Sequence, residues 1–443
     1  MKTDSTAIPI SKTRTNSPLR ARYVGRGFSR AGGFSRAVFV ATLLVAAWAA
    51  VACLAQAPRP ILILVSLDGW RHDYLDRART PRLNALAAAG VRSDGLIPSF
   101  PSKTFPNHYT IVTGLYPEHH GIVSNNMIDA TIGERFSMSA PTAKDSRWWG
   151  GEPLWVTAQK QGLLTASMFW PGSEVEIGGV RPAHWKPFDD DFPNRQRVQQ
   201  VLDWLSLPER ERPSFITLYF SDVDTAGHTF GPESPEVLDV SARLDAEVGA
   251  LVDGVNAMGA LAGRVHYVIV SDHGMSQNSP ERVIVLDDYI DMKTVDMIDT
   301  SPVAGFWPRS GTAEDIHRAL KDKHPSFAVY RRAEVPAHLH YNSNARIPPV
   351  IGIAADGWAV GSKTVTDQWQ SGTRRLGGNH GYDPSLRSMH GLFVVSGAQF
   401  RQGATIPPVE NIHLYSMMAR VLGLTPAAND GRTDATANVF AGK

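Results

Sequence analysis

Three short apolar runs, each halted by an aspartate turn, constrain the fold of this chain more tightly than anything else in it. Ile61-Leu62-Ile63-Leu64-Val65-Ser66-Leu67 stops at Asp68-Gly69. Ser214-Phe215-Ile216-Thr217-Leu218-Tyr219-Phe220 stops at Ser221-Asp222-Val223-Asp224, and Val265-His266-Tyr267-Val268-Ile269-Val270 stops at Ser271-Asp272-His273-Gly274. Continuous apolar runs of this length are expected of strands buried on both faces, as in a parallel sheet. A fourth run, Gly391–Ser396, lies near the C-terminus. Between the runs, Pro81 to Ala89 and Pro235 to Met258 place apolar residues at helical spacing (Leu83, Leu86, Ala87; then Leu244, Val248, Leu251, Val252 and Val255).

Alternation of buried strands with amphipathic helices predicts an α/β fold: a doubly wound, mostly parallel sheet with helices on both faces. Such sheets bind ligands at the carboxyl ends of their strands, where the aspartate turns fall. Residues 134–200, rich in Trp, Gly and Pro, and residues 280–375, with little regular pattern, read as insertions on the rim of one domain spanning 58–443.

Charge separates the first 57 residues from the rest. They hold eight Lys or Arg and one acid, so a net charge of +1 leaves the body of the chain about six charges negative. Such a body has no basic excess to favour a nucleic-acid duplex, and an anionic substrate would need a local positive field, which metal ions could supply. The basic stretch from Lys2 to Arg36 precedes an apolar run from Ala37 to Ala55 with small-residue ends (Ala50-Val51-Ala52, Ala55-Gln56-Ala57), the layout of a signal peptide. The run is close to the ~20 residues that span a bilayer, so an uncleaved anchor is the alternative, with membrane contact confined to this segment. Cys53, the single cysteine, lies in it and loosely matches a lipoprotein processing site. The expected location is periplasmic or secreted.

Six potential metal ligands sit at strand ends or in Gly-rich turns: Asp68, Asp224, His228, Asp272, His273 and His380. Asp224 and His228 are four apart, which a helical turn puts on one face. Carboxylates and neutral imidazoles are the donor set that Zn²⁺ accepts, although Mn²⁺ or iron can occupy such sites. Singly, each has a structural explanation as a cap, a turn former or a solvated histidine; the His119-His120 pair is read that way. Thr104, between prolines in Ser99–His108 and before a helix expected to begin near Pro106, would add a seventh donor. Its hydroxyl becomes a nucleophile only when a base or metal activates it; otherwise it caps a helix.

The motifs Ser66-Leu67-Asp68-Gly69, Ser102-Lys103-Thr104-Phe105-Pro106-Asn107-His108-Tyr109, Thr113-Gly114-Leu115-Tyr116-Pro117, His120-Gly121-Ile122-Val123 and Trp170-Pro171-Gly172-Ser173 stand in this order. Asp224-Thr225-Ala226-Gly227-His228, Ser271-Asp272-His273-Gly274-Met275 and His380-Gly381-Tyr382 follow. In them the chain resembles the nucleotide pyrophosphatase/phosphodiesterase family of the alkaline-phosphatase superfamily, from Ile61 to about Asp430. The resemblance implies an alkaline-phosphatase-like fold and two Zn²⁺ per chain. Asp224, His228 and His380 would bind one ion, and Asp68, Asp272, His273 and the Thr104 oxygen the other. It implies that Asn125 donates to a phosphate oxygen and that Phe105 stacks on the nucleotide base. Phe188 would stand where relatives usually have Tyr, keeping the stacking face without the hydroxyl. Asp222 is given no role. The implied reaction cleaves nucleotide phosphodiester or pyrophosphate bonds through a covalent nucleotidyl-threonine and releases nucleoside 5′-monophosphates.

Four rivals stand beside this reading. A sulfatase needs a Cys/Ser-x-Pro-x-Arg motif, which Cys53 and its neighbours do not make. A phosphomonoesterase would use the same ligands, and a lysophospholipase-type phosphodiesterase would need a lipid-sized channel. A non-catalytic binding module would be expected to have lost a ligand or Thr104, and all seven are present.

Overall fold

The computed structural model describes residues 59–442, so the basic and apolar segment of residues 1–57 lies outside the described residues. Strand β1 (Ile61–Leu67) shows how one apolar run organises two layers. Its residues alternate: Leu62 and Leu64 enter one hydrophobic core, Ile61, Ile63, Val65 and Leu67 the other. Successive side chains of a strand point to opposite faces, so a central strand must be apolar throughout.

Numbering the strands of the main sheet in chain order, β1 is followed by β2 (Val91–Ser93), β3 (Thr165–Met168), β4 (His184–Lys186), β5 (Phe215–Phe220), β6 (Val265–Val270), β7 (Phe393–Ser396) and β8 (Ala404–Ile406). Their spatial order is β8-β2-β7-β6-β1-β5-β3-β4. β1 pairs in parallel with both β5 and β6, and β3 pairs in parallel with β5 and β4. The fourth apolar run, β7, is antiparallel to β6 and to β2. The main sheet is therefore mostly parallel with one reversed strand.

Helices cover both faces. On the Leu62/Leu64 side pack α2 (Thr104–Thr113), α3 (Leu154–Lys160) and α7 (Leu414–Leu422). On the other pack α1 (Pro81–Ala88), α4 (Asn194–Leu205) and α6 (Pro235–Asn256), the last beside α5 (Asp222–Phe230). Both helices expected from spacing are present. Pro81 and Pro235 stand at their first positions, where a missing N–H costs nothing. The Ser234 side chain also caps α6, accepting from the Val237 N–H at 3.3 Å.

Both segments read as rim insertions hold regular structure. Residues 134–200 supply the edge strands β3 and β4 and the helices α3 and α4. β3 is Thr-Ala-Ser-Met, too short and too polar to read as a buried run, yet Ser167 is buried and shares a 2.8 Å hydrogen bond with Thr217 on β5. Residues 280–375 build a second sheet, antiparallel, in the order Val295–Ile298, Val303–Pro308, Val350–Ala354, Phe327–Arg331. It has a hydrophobic core of its own, including Phe306, Ile316, Leu320, Phe327 and Val350. One pair is a local hairpin, but Val350–Ala354 pairs with Val303–Pro308 and Phe327–Arg331, which lie well before it in the chain, so no local periodicity announces the sheet. No helix among the described residues is long and apolar enough to cross a membrane.

His120 has the structural role expected of the His119-His120 pair. It is fully buried, its Nδ1 accepts from the Ile122 N–H at 3.1 Å, and its Nε2 lies 3.0 Å from the Thr110 hydroxyl. Burial pulls its pKa from 6.5 down to about 3. The unfolded chain therefore takes up this proton first, so the stabilisation is complete above pH 6.5 and is lost as pH falls toward 3. Urea unfolding at pH 7 and pH 5 should show a steeper acid loss in the wild type than in a His120→Gln variant, which itself is less stable at pH 7.

Candidate metal centre

The ends of β1, β5 and β6 meet because these three strands are neighbours with aligned registers: Leu67 stands beside Phe220, and Ser66 beside Val270. The next residues in each chain segment carry the acids. Asp68 N–H continues the ladder to the Phe220 carbonyl at 2.9 Å, and Gly69 N–H donates to Asp272 Oδ1 at 3.3 Å. Gly69 has φ +67°, and a Cβ there would lie 2.7 Å from the Asp224 Cα. Only glycine lets the two aspartate-bearing turns approach this closely.

Asp224 lies in the first turn of α5 and His228 one turn later, so the expected i, i+4 pair forms, with Asp224 Oδ2 3.5 Å from His228 Nε2. His380, from the loop after the second sheet, faces both: its Nε2 is 3.5 Å from Asp224 Oδ1 and 3.1 Å from His228 Nε2. His273 Nε2 lies 2.9 Å from Asp272 Oδ2 and 3.6 Å from Asp68 Oδ1, and its ring stacks on that of His380 at 3.5 Å. All six expected ligands thus converge, five of them in two adjoining groups and Asp272 beside them through His273. Asp224, His228 and His380 form one set with donor atoms within 4.8 Å of one another, and Asp68, Asp224 and His273 form another.

The donor atoms suit cations. Each imidazole places Nδ1 against a backbone carbonyl: His228 on Gly378 at 3.0 Å, His273 on Gly274 at 2.9 Å and His380 on Ser102 at 2.8 Å. Donation from Nδ1 leaves the Nε2 lone pair free to ligate. Asp68 Oδ1, Asp224 Oδ1, Asp272 Oδ2 and His273 Nε2 are buried without a hydrogen-bond partner, and such groups are rare in native proteins unless an ion satisfies them. Burial and the charges of Asp272 and Asp224 push the Asp68 carboxyl well above its ordinary pKa. Burial likewise lowers His380, assisted by His273 and His228. Three carboxylates and three imidazoles so arranged match the donor set of Zn²⁺.

Thr104 opens α2, two residues earlier than the sequence suggested. At the first helical position it sits at the positive end of the helix dipole. Its carbonyl accepts from His108 Nδ1 at 2.9 Å, and that nitrogen is 3.3 Å from Asp272 Oδ2. His108, buried and held at Nε2 by the Ser66 hydroxyl at 2.8 Å, groups with Asp68 and Asp272 as a third potential ligand set. Its motif gives it no role of its own; the i, i+4 spacing from Thr104 is the one sequence signal for it. The Asn125 carbonyl oxygen accepts from Phe105 N–H at 2.9 Å, leaving its amide hydrogens free to donate. Phe105 packs half-buried against Phe136 and Trp149, each 6.0 Å away. Phe188 is 51% exposed, its ring 5.2 Å from that of Phe169.

Asp299, which carries no sequence signal, has φ +52° in the second sheet's first hairpin. Its carboxylate pairs with the buried Lys103 ammonium at 3.0 Å and accepts from the Ser124 hydroxyl and, at 2.7 Å, the Asn126 amide. One side chain therefore ties the residue before Thr104 to both residues flanking Asn125.

Such an array, on the carboxyl edge of a doubly wound sheet beside a helix-borne hydroxyl, is the architecture of an alkaline-phosphatase-like hydrolase. The family model for type I phosphodiesterase/nucleotide pyrophosphatase matches residues 62–383, and the chain belongs to that family. It is 39% identical over 382 residues to a protein described as an uncharacterized pyrophosphatase/phosphodiesterase of Schizosaccharomyces pombe, covering 84% of this chain and 78% of that one. To human ectonucleotide pyrophosphatase/phosphodiesterase family member 5 it is 34% identical, covering 90% of this chain and 81% of that protein. A venom phosphodiesterase of Macrovipera lebetinus is 39% identical over 84% of this chain, which spans only 44% of the venom protein. Among solved structures, an inactive threonine-to-alanine variant of murine family member 5, in complex with AMP, superposes with a TM-score of 0.81 at 33% identity. That match covers 86% of this chain and all of the murine one.

Two outcomes follow from the electrostatics. In metal-free protein, Asp68→Asn removes one of three crowded carboxylates and should raise unfolding stability by about 1–2 kcal/mol. Added Zn²⁺ should raise the melting temperature of the wild type far more than that of the variant. Separately, Asp299→Asn strands a buried ammonium at a cost of about 3–5 kcal/mol. The double variant with Lys103→Met should lose clearly less than the two single losses combined, as urea titration of the four proteins would measure.

Proposed function

We propose that residues 58–443 form one catalytic domain that hydrolyses nucleotide phosphodiester and pyrophosphate bonds, with Thr104 as nucleophile and a nucleoside 5′-monophosphate as product. The observation that carries the reading is the convergence of three orphaned carboxylates and three oriented imidazoles beside the Thr104 helix. The murine relative, inactive as a threonine-to-alanine variant and complexed with AMP, supports both the nucleophile type and the ligand class.

Asp224, His228 and His380 would hold one Zn²⁺, and Asp68, Asp272 and His273 with the Thr104 oxygen the other. Zinc so bound supplies Lewis acidity, lowering the pKa of a hydroxyl and neutralising charge on phosphoryl oxygens. Thr104 Oγ attacks phosphorus, forming a nucleotidyl-threonine ester as the leaving oxygen departs, and water then cleaves that ester. Two in-line displacements retain configuration. The free amide hydrogens of Asn125 donate to a non-bridging oxygen, a contact that strengthens as charge builds there. Phe105 and Phe188 offer apolar faces to the base, which orients the phosphate against the hydroxyl. Residues 1–57 would act as signal peptide or anchor, delivering the domain to the periplasm or outside the cell, and small nucleotides rather than a duplex would be its substrates.

Thr104→Ala should lower turnover of p-nitrophenyl thymidine 5′-monophosphate by at least about 10³-fold. Its Zn²⁺ content should remain near that of the wild type, and Thr104→Ser should recover part of the rate. A folded, zinc-loaded Thr104→Ala enzyme working at the wild-type rate would remove Thr104 from the mechanism.

A further inference from the structure

A cavity of about 420 Å³ opens beside the donor cluster, lined by His228, Thr300, Trp369, Arg374, Arg375 and Asn379 among others, with no acidic residue in its wall. The His273 and Asp272 side chains are 0% exposed, whereas those of His228 and Asp224 are 39% and 19% exposed, so the cluster meets solvent on the side of this cavity. A group attached to phosphorus and leaving toward solvent on the His228 side would enter this cavity.

The two arginines are held there without being neutralised. Arg375 lies over the Phe230 ring at 5.2 Å and Arg374 over Trp369 at 5.8 Å. Neither guanidinium has a carboxylate partner within 4.0 Å among the described residues. Aromatic faces orient a guanidinium plane while leaving its N–H groups free. Their segment is tied to the α5 helix at short range. Gly377 N–H donates to the His228 carbonyl at 3.1 Å, and the Gly378 carbonyl accepts from His228 Nδ1 at 3.0 Å. Phe230 is the last residue of that same helix. The cations are thus coupled in position to His228, one of the side chains that would hold a metal ion.

We propose that Arg374 and Arg375 form an anion subsite for a phosphate-bearing leaving group, favouring pyrophosphate bonds over diesters with an uncharged leaving group. The subsite rests on the nucleotide-hydrolase reading above, and supplies local positive charge on a body that has no net basic excess. Bidentate guanidinium–phosphate pairing suits a terminal phosphate or diphosphate.

The test compares thymidine 5′-triphosphate with p-nitrophenyl thymidine 5′-monophosphate, which share the nucleoside and differ in the leaving group. In the zinc-loaded Arg374→Ala/Arg375→Ala enzyme, kcat/KM for the triphosphate should fall about 10- to 100-fold, the worth of one or two charge-assisted hydrogen bonds. For the p-nitrophenyl ester it should stay within about twofold. The Arg374→Lys/Arg375→Lys enzyme should recover part of the triphosphate rate, and the wild-type advantage on the triphosphate should shrink with added salt. Equal loss on both substrates, or no loss on either, overturns the subsite and leaves the nucleotide reading standing. A wild-type enzyme that cleaves neither substrate overturns both.

Discussion

Like-charge repulsion among Asp68, Asp224 and Asp272 is the constraint around which the carboxyl edge of the sheet is arranged. Three carboxylates brought together by parallel strand pairing, two of them fully buried, would repel one another strongly in a medium of low dielectric. The chain answers only part of that charge itself. Tyr219 donates to Asp68 Oδ2 at 2.7 Å, and His273 and His108 hold the Asp272 carboxyl well below its ordinary pKa against the opposing effect of burial. Several oxygens still face one another with no partner. A cluster so arranged is more stable with cations than without them, and its geometry exists for what it can hold.

The surroundings are built to keep that geometry stiff. Three imidazoles are locked through Nδ1 to backbone carbonyls of three different segments, so their free nitrogens cannot rotate away. Gly69 lets two turns touch, and His108 links Thr104's helix to Asp272. The second sheet takes part through Asp299, whose carboxylate gathers Lys103, Ser124 and Asn126 from either side of the candidate nucleophile and donor. A segment that reads as decoration on the rim is thereby joined to the chemistry at the centre.

Relatives in animals, venoms and yeast share the domain at 34–39% identity. The chain spans less than half of the venom protein but about four-fifths of human family member 5.

How much of this was legible in the chain depends on how local each feature is. The runs ending at Asp68, Asp224 and Asp272, the helices beginning at Pro81 and Pro235, and the four-residue step from Asp224 to His228 are local, and each appears where its pattern placed it. The motif order also declared the family. Other features were illegible for a stated cause: β3 and β4 are too short and too polar to signal burial, the second sheet pairs distant segments, and the reversed direction of β7 is set by its connection rather than its residues. Local patterning thus determined by itself which residues form elements and where chemistry-bearing side chains leave them. Only tertiary structure decided which ends became neighbours, that Asp299 would meet Lys103, and that two arginines would stand beside His228, because strand order and loop approach depend on contacts between residues tens to hundreds of positions apart.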